Sequence, residues 1–581
     1  MEEGASMEAF PAESGYTPSL DDDPALGLSH RAKMEVLFAV MLGLFLGALD
    51  QTIVGPALPT IVTQLNGNDL YVWAVTSYLL TSTISVPFWG KLSDLYGRKP
   101  MFIIGIVIFL IGSALSGLSQ NMEQLILFRG IQGIGAGALF PIALAIIGDL
   151  FSPAERGKYQ GLFGAVFGVA FVAGPLIGGW LTENVGWHWI FYVNIPIGIV
   201  ALFVISRLLP TVKNPRAERN FDILGGVIFT IATTLLLIGL TEKGLIDPAT
   251  KRLYDWTDWQ VGGLILVGLV GYLFFIWAEA RAKEPIVPLN LFRNRTYASS
   301  MVSTFFAAFA FFGAIVFLPR WFQIVQGFSP TNSGLAALPL VIGLIGSSIG
   351  SGLFVARTGR YKWLLVGAIS LMAVAMLLMT QLRADTPVPV VWLWMFIAGL
   401  GVGPTFAVFT LVVQNAVPFQ YLGVATSNLT FFRQIGGSVA LAIVGTVFST
   451  EIVKQLPVQV AASGMSPASL GQIGQAAQSG ALDFNQLIGT GDLATKVQGA
   501  FPTMPADDVA KFVSSVLSAF SLAVAQTFWI GVVGAVLAVV AAIGMKELAL
   551  RQQTGAQAKA EAKADAAAAA DGGRPAIPAA D

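Results

Sequence analysis

The chain has no cysteine, two histidines (His30 and His188) and only 12% charged residues among its 581. Each shortage closes off a class of chemistry. Without thiols there is no disulfide framework, no thiolate nucleophile and no cysteine zinc site, and two distant histidines are too few for a metal cluster. No glycine-rich phosphate loop ending in Gly-Lys-Ser or Gly-Lys-Thr is present, and the scattered acids form no catalytic constellation. The sequence therefore points to no metal, no cofactor and no enzyme. Its net charge of −1 offers neither the basic surface that nucleic acid requires nor a polybasic patch for a membrane surface.

What is present is apolar residue, 55% of the chain, against a background in which soluble domains carry about twice this charge, roughly 25%. The apolar residues fall in runs close to the roughly 20 residues that cross a bilayer as a helix. Fourteen such runs lie at about 34–59, 70–90, 100–118, 122–148, 158–182, 187–209, 221–241, 260–279, 297–319, 331–355, 361–381, 388–413, 421–449 and 519–544. The expected fold is an all-α polytopic membrane protein. Lys and Arg concentrate in alternate loops, at Lys91, Arg98 and Lys99, at Arg156 and Lys158, at Arg207 to Arg219, at Arg281 to Arg295, and at Arg357, Arg360 and Lys362. The positive-inside rule puts those loops, and with an even number of runs both termini, in the cytoplasm.

The organisation expected is a cytoplasmic tail over 1–33, which lacks a basic leader and a cleavage site, then a six-helix bundle over 34–209. Two inserted helices occupy 210–280, a second six-helix bundle 281–550, and a low-complexity, disordered cytoplasmic tail 551–581. Within the second bundle, 450–518 is too polar to span and reads as an outer loop, with a short amphipathic helix near Asp507–Leu522 leading into the last run. An internal repeat supports two related halves. GKLSDLYGRK from Gly90 and GLFVARTGRYK from Gly352 align at an offset of 262, while GIGAG from Gly133 and GLGVG from Gly399 align at 266, as do Gly157 and Gly423. Paired halves around a central cavity are a common design of secondary transporters.

One residue of the first run stands out. Asp50 lies 16 residues past Met34, about 24 Å along a helix axis, deep in hydrocarbon. A lone intramembrane acid is by default a proton carrier or a counter-ion, and Gly43 and Gly47 on its face admit a neighbouring helix. In the fourth run Arg129 falls at a comparable depth. Burial favours a neutral acid and a nearby guanidinium favours its charged form, so the pair could respond to cavity closure; a static pair that fixes packing is the alternative. Arg433, about 17 Å into its run, has no acid in runs nine to thirteen to neutralise it. It could bond backbone carbonyls, reach Asp50 across a cavity, or receive an anionic group.

The turn Gly90, Asp94, Gly97, Arg98, Lys99 has the G-x-x-x-D-x-x-G-R-K spacing, and it resembles the signature of the major facilitator superfamily. LDQTIVGPALPTI from Leu49, LFRGIQGIGAG from Leu127, GPLIGGW from Gly174, WHWIFYVNIPIG from Trp187 and FFRQIGGS from Phe431 are similar to motifs of its fourteen-helix drug:proton antiporters. The resemblance covers about 34–550. It implies the major facilitator fold, two six-helix bundles plus two extra helices, proton-driven efflux of amphipathic drugs or related small molecules by alternating access, and a plasma-membrane location. It links Asp50 and Arg129 to proton coupling, the turn to gating, and Gly174, Pro175, Gly178 and Gly179 to sealing against leak, with Ala170 where the longer pattern expects Gly.

Candidates for the substrate cavity are Arg433, Gln434, Tyr78, Gln132, Phe305 and Phe432. With Asp50 as the one core acid facing two arginines, neutral, weakly acidic or monocationic amphiphiles suit the cavity better than dications. The expected partners are protons, the amphipathic substrate and the lipid bilayer; a periplasmic adaptor protein is left open. Export of a lipid-like metabolite is the alternative within transport, and a non-transporting receptor or scaffold the alternative outside it.

Overall fold

A computed structural model describes residues 30–65, 70–209, 222–243, 245, 254–478 and 493–550. The expectations for most of the N-terminal tail and for the 551–581 tail lie outside the described residues. All fourteen apolar runs are helical: α1 His30–Gln64, α2 Tyr71–Tyr96, α3 Arg98–Gly117, α4 Met122–Leu150, α5 Pro153–Asn184, α6 Asn194–Leu208, α7 Ile223–Glu242, α8 Leu264–Glu279, α9 Arg295–Ile324, α10 Leu338–Thr358, α11 Lys362–Met379, α12 Val388–Ala416, α13 Leu422–Ala462 and α14 Ala506–Ile543. No strand occurs among the described residues.

Thirteen of the described helices are long and apolar enough to cross a membrane. The second run is a helix of 26 residues whose hydroxyls lower its hydropathy, and its neighbour explains them. Thr81 Oγ1 donates to Gly130 O at 2.8 Å, Ser85 Oγ to Ile134 O at 3.2 Å and Trp89 Nε1 to the same carbonyl at 2.7 Å. Without a hydrophobic drive between helices in lipid, small residues and such bonds hold α2 on α4. Gly133 and Gly137 complete the seam, because a Cβ at either would overlap α2.

Two large hydrophobic cores form, with two small clusters around α7. One gathers buried residues between Val36 and Leu209, the other between Leu291 and Met545. α7 and α8 pack on each other, and α7 also touches α2 and α13. Leu266, Leu269 and Leu273 of α8 stay exposed, as a lipid-facing helix requires. The strap that follows α8 is pinned by Glu279, which accepts from Ile286 N and Val287 N at 3.3 and 3.2 Å.

The polar segment after 450 differs from a loop. α13 continues through Pro457 to Ala462, and Pro467–Gln478 and Leu493–Ala500 are short helices. α14 begins at Ala506, so the amphipathic stretch and the last run are one helix. Its Asp508 ties the segment down by accepting from Ser466 Oγ and Ser469 Oγ, both at 2.6 Å. Polar residues such as Glu451 and Lys454 are compatible with a helix that has already left the apolar layer, which is why composition alone read them as loop.

Candidate functional site

Asp50 is fully buried, and its carboxylate is held by three donors from two helices. Arg129 Nη1 of α4 donates to Oδ2 at 2.7 Å, Gln132 Nε2 of α4 to Oδ1 at 2.8 Å, and Asn194 Nδ2 of α6 to Oδ1 at 3.0 Å. Arg129 and Gln132 share a face because they are three residues apart, and Arg129 Nη1 also donates to Gln132 Oε1 at 2.8 Å. Asn194 reaches on to Ser113 Oγ at 3.1 Å, and Ser113 Oγ donates to Phe191 O at 2.8 Å. The guanidinium carbon sits 4.1 Å from the centre of the Tyr78 ring. Tyr78 and Gln132, the cavity candidates of the first half, are buried around the acid, at 1% and 0% exposure.

This cluster is charge-balanced yet incompletely bonded. Arg129 Nε, Tyr78 Oη and Asn194 Oδ1 are buried without a hydrogen-bond partner. Each orphan costs about 1–3 kcal/mol, so the cluster is held in an arrangement from which its bonds can be redistributed. Asn194 carries no charge and opens a helix that is apolar through Ile205; a single amide amid NIPIGIVALFVI is the signal the sequence offers.

The Gly174–Gly179 motif packs against α1, the helix of Asp50. A Cβ at Gly174 would overlap the Thr52 side chain, and one at Gly178 would overlap Ile53 O. Thr52 Oγ1 donates to Ala170 O at 2.8 Å, so the Ala in place of Gly is part of a close α1–α5 contact. Pro175 lies inside a continuous α5, and Gly179 is half-buried.

The Gly90–Lys99 turn joins the two halves. Gly97 has φ 96° between α2 and α3, a conformation that favours glycine. Asp94 pairs with Arg98 Nη1 at 2.5 Å and accepts from Gly423 N and Val424 N at 3.1 and 2.9 Å. Those amides open α13 and have no partner within that helix, so one half supplies the cap for a helix of the other. Arg98 Nε continues to Asp149 Oδ2 at 3.0 Å, while Lys99 is half-buried. The repeat-related glycines cross over: Gly90 abuts Gly423, and Gly157 abuts Gly352. Gln160 Nε2 donates to Gln414 Oε1 at 2.9 Å, and Gln414 Nε2 to Leu144 O at 3.0 Å. At this end the halves are locked together.

Arg433 does not reach Asp50. Its guanidinium lies 4.3 Å from the Phe406 ring centre, and Nη2 donates to Thr405 O at 3.4 Å. Gln434 Oε1 beside it is buried and unpartnered. The backbone of Phe305 lies against Gly436 while its ring packs on Phe306 and Phe309 of its own helix, and the Phe432 ring lies against Phe431 at 6.0 Å and Phe292 at 6.1 Å.

An all-helical bundle with a buried acid–arginine centre and a latch joining its halves has the build of a membrane transporter. The chain belongs to the Major Facilitator Superfamily, whose family model matches residues 40–441. It is 41% identical over 414 residues to the multidrug transporter protein MdtP of Bacillus subtilis, covering 71% of this chain and 75% of that one. It is 38% identical over 413 residues to multidrug resistance protein 3 of the same organism, covering 71% and 79%. The solved structure of the proton:xylose symporter XylE shares the fold, with a TM-score of 0.53 at 14% identity over 73% of this chain and 91% of that one.

Proposed function

We propose that the protein exports amphipathic drugs or related small molecules across the plasma membrane in exchange for protons, by alternating access of two six-helix bundles. The printed names of its relatives, a multidrug transporter and a multidrug resistance protein, support the substrate class. The observation that carries the coupling is the Asp50 carboxylate, buried among three side-chain donors with one guanidinium as its counter-charge. In this reading Asp50 is the proton carrier and Arg129 its tuner. When Asp50 takes a proton it gives up its charge-assisted bond to Arg129, and the guanidinium keeps Gln132 Oε1 and the Tyr78 ring. Both protonation states thus leave the arginine with partners, which suits a group that must cycle.

The locked end carries the Lys- and Arg-rich loops and is assigned to the cytoplasm, with both termini on that side. The Asp94 latch and the crossed glycines then describe a state closed to the cytoplasm, and opening requires Asp94 to release the start of α13. Gly174, Pro175, Gly178 and Gly179 seal α5 against α1, so the acid does not conduct protons without substrate. Each proton moving inward through 100 mV supplies about 2.3 kcal/mol. A second reading is export of a lipid-like metabolite, for which the shallow apolar groove on the outer face of α7, lined by Phe88, Ile223, Gly226, Val227, Thr230 and Ile231, offers a place to approach from the bilayer.

The test uses purified protein in vesicles with an imposed pH gradient. Wild type should drive a fluorescent amphipathic drug uphill, and Asp50→Asn should abolish uphill efflux while leaving the protein folded. Undiminished pH-driven efflux from Asp50→Asn would overturn the coupling assignment. Lipid transfer between leaflets without drug movement would select the second reading.

A further inference from the structure

The repeat offset that relates Gly157 to Gly423 and Gly137 to Gly403 also relates Phe140 to Phe406 and Phe167 to Arg433. The structure brings these four side chains together. In the first half Phe140 and Phe167 stack at 5.0 Å with 23° between their planes, and in the second half Arg433 lies over Phe406 at 4.3 Å. Phe167 touches Phe406 at 5.2 Å across the junction, and Phe311 touches Phe406 at 5.6 Å. The two halves therefore build the same aromatic pair, except that one member is replaced by a cation.

That replacement is not demanded by the packing, since the related position holds its place as Phe. Nor is the charge neutralised. Between residues 295 and 449 the single acid is Asp385, in the turn between α11 and α12. Asp50, the acid of the first half, is already bound by Arg129. Arg433 makes no ion pair among the described residues; its one hydrogen bond is the contact of 3.4 Å to Thr405 O. Beside it stands the unpartnered amide oxygen of Gln434. A guanidinium in a membrane interior needs a counter-charge, a carbonyl cage or water, and stacking on Phe406 compensates only in part. Phe167, Phe311, Arg433 and Gln434 all retain partial exposure at this junction, so the group is not sealed as Asp50 is.

We propose that Arg433 is the recognition group for an anionic substrate: the exported amphiphile carries a single carboxylate or sulfonate that pairs with Arg433, while its ring stacks among Phe167, Phe311 and Phe406. This rests on the export reading above and narrows its substrate class. Gln434 Oε1, an acceptor, takes a hydroxyl or amide proton of the same ligand. Efflux of a monoanion against an entering proton transfers the equivalent of two positive charges inward, so a membrane potential negative inside drives both legs.

The experiment measures equilibrium binding to the full chain in zwitterionic lipid nanodiscs. The probes are anilinonaphthalenesulfonate and its uncharged parent phenylnaphthylamine, which share the ring system and differ in the sulfonate. Wild type should prefer the sulfonate. Arg433→Lys should keep that preference, and Arg433→Gln and Arg433→Phe should weaken sulfonate binding about tenfold to a hundredfold with the uncharged probe changed less than about twofold. Arg433→Phe copies the residue of the other half, and Arg433→Gln serves where it fails to fold. Equal loss of both probes, or no loss of either, would overturn the proposal and leave Arg433 a packing residue. Uphill efflux by Asp50→Asn vesicles tests coupling separately, so either assignment can fail while the other stands.

Discussion

At the scale of single residues, the account turns on what holds a charge inside an apolar layer. Asp50 and Arg129 pay for each other's desolvation, and the cost appears when one is removed. Breaking a buried pair from one side costs about 3–5 kcal/mol, whereas replacing both partners is often close to neutral. Arg129→Gln should therefore destabilise the protein in detergent by a few kcal/mol, and the double variant Asp50→Asn with Arg129→Gln should recover most of that loss. A double variant no more stable than the single one would show that the pair is not the principal partner of either residue. This centre was largely legible in the sequence, because an acid and an arginine in apolar runs are costly and so conspicuous. Asn194 and Ser113 were not, since an uncharged amide or hydroxyl carries too small a transfer penalty to stand out of a hydropathy pattern. Polarity marks Tyr78 and Gln132 in the sequence, and the packing of α2 and α4 on α1 shows which polar groups they face.

At the scale of elements, the Asp94 latch joins the start of α13 to the turn after α2. The repeat makes the asymmetry plain, because the position related to Asp94 at an offset of 262 is Ala356, which lies against Gly157. One crossing thus has a charged cap and the other only close backbone contact. Removing a capping side chain costs about 0.5–2 kcal/mol. Asp94→Ala should shift the balance between the locked and open forms by about twofold to thirtyfold toward the open one. Spin labels at Lys158→Cys and Thr358→Cys, both exposed beside the Gly157–Gly352 contact, report it by pulsed electron resonance, and the absence of native cysteine leaves no background labelling. A longer distance should gain population in Asp94→Ala, and an unchanged distribution would mean that the latch carries no free energy. Helix positions were readable from apolar run length, which is set by the bilayer. The ends were not, as α13 shows, because a helix stabilised by neighbours such as α14 need not stop where the hydrocarbon stops.

For the whole molecule, the locked end, the buried acid and the crossed repeats fit one state of the proposed cycle, in which the acid would meet each side in turn. The fold was legible because two halves with related glycines fit few architectures, and the family assignment agrees with it. The central claim is that substrate binding is coupled to the proton on Asp50. The most direct measurement is proton release from the purified protein in weakly buffered detergent solution on addition of a transported drug, followed with a pH indicator. The account predicts a saturable release in wild type that vanishes in Asp50→Asn while drug binding remains measurable. A release of equal size in Asp50→Asn, or drug binding to wild type with no proton leaving, would contradict it.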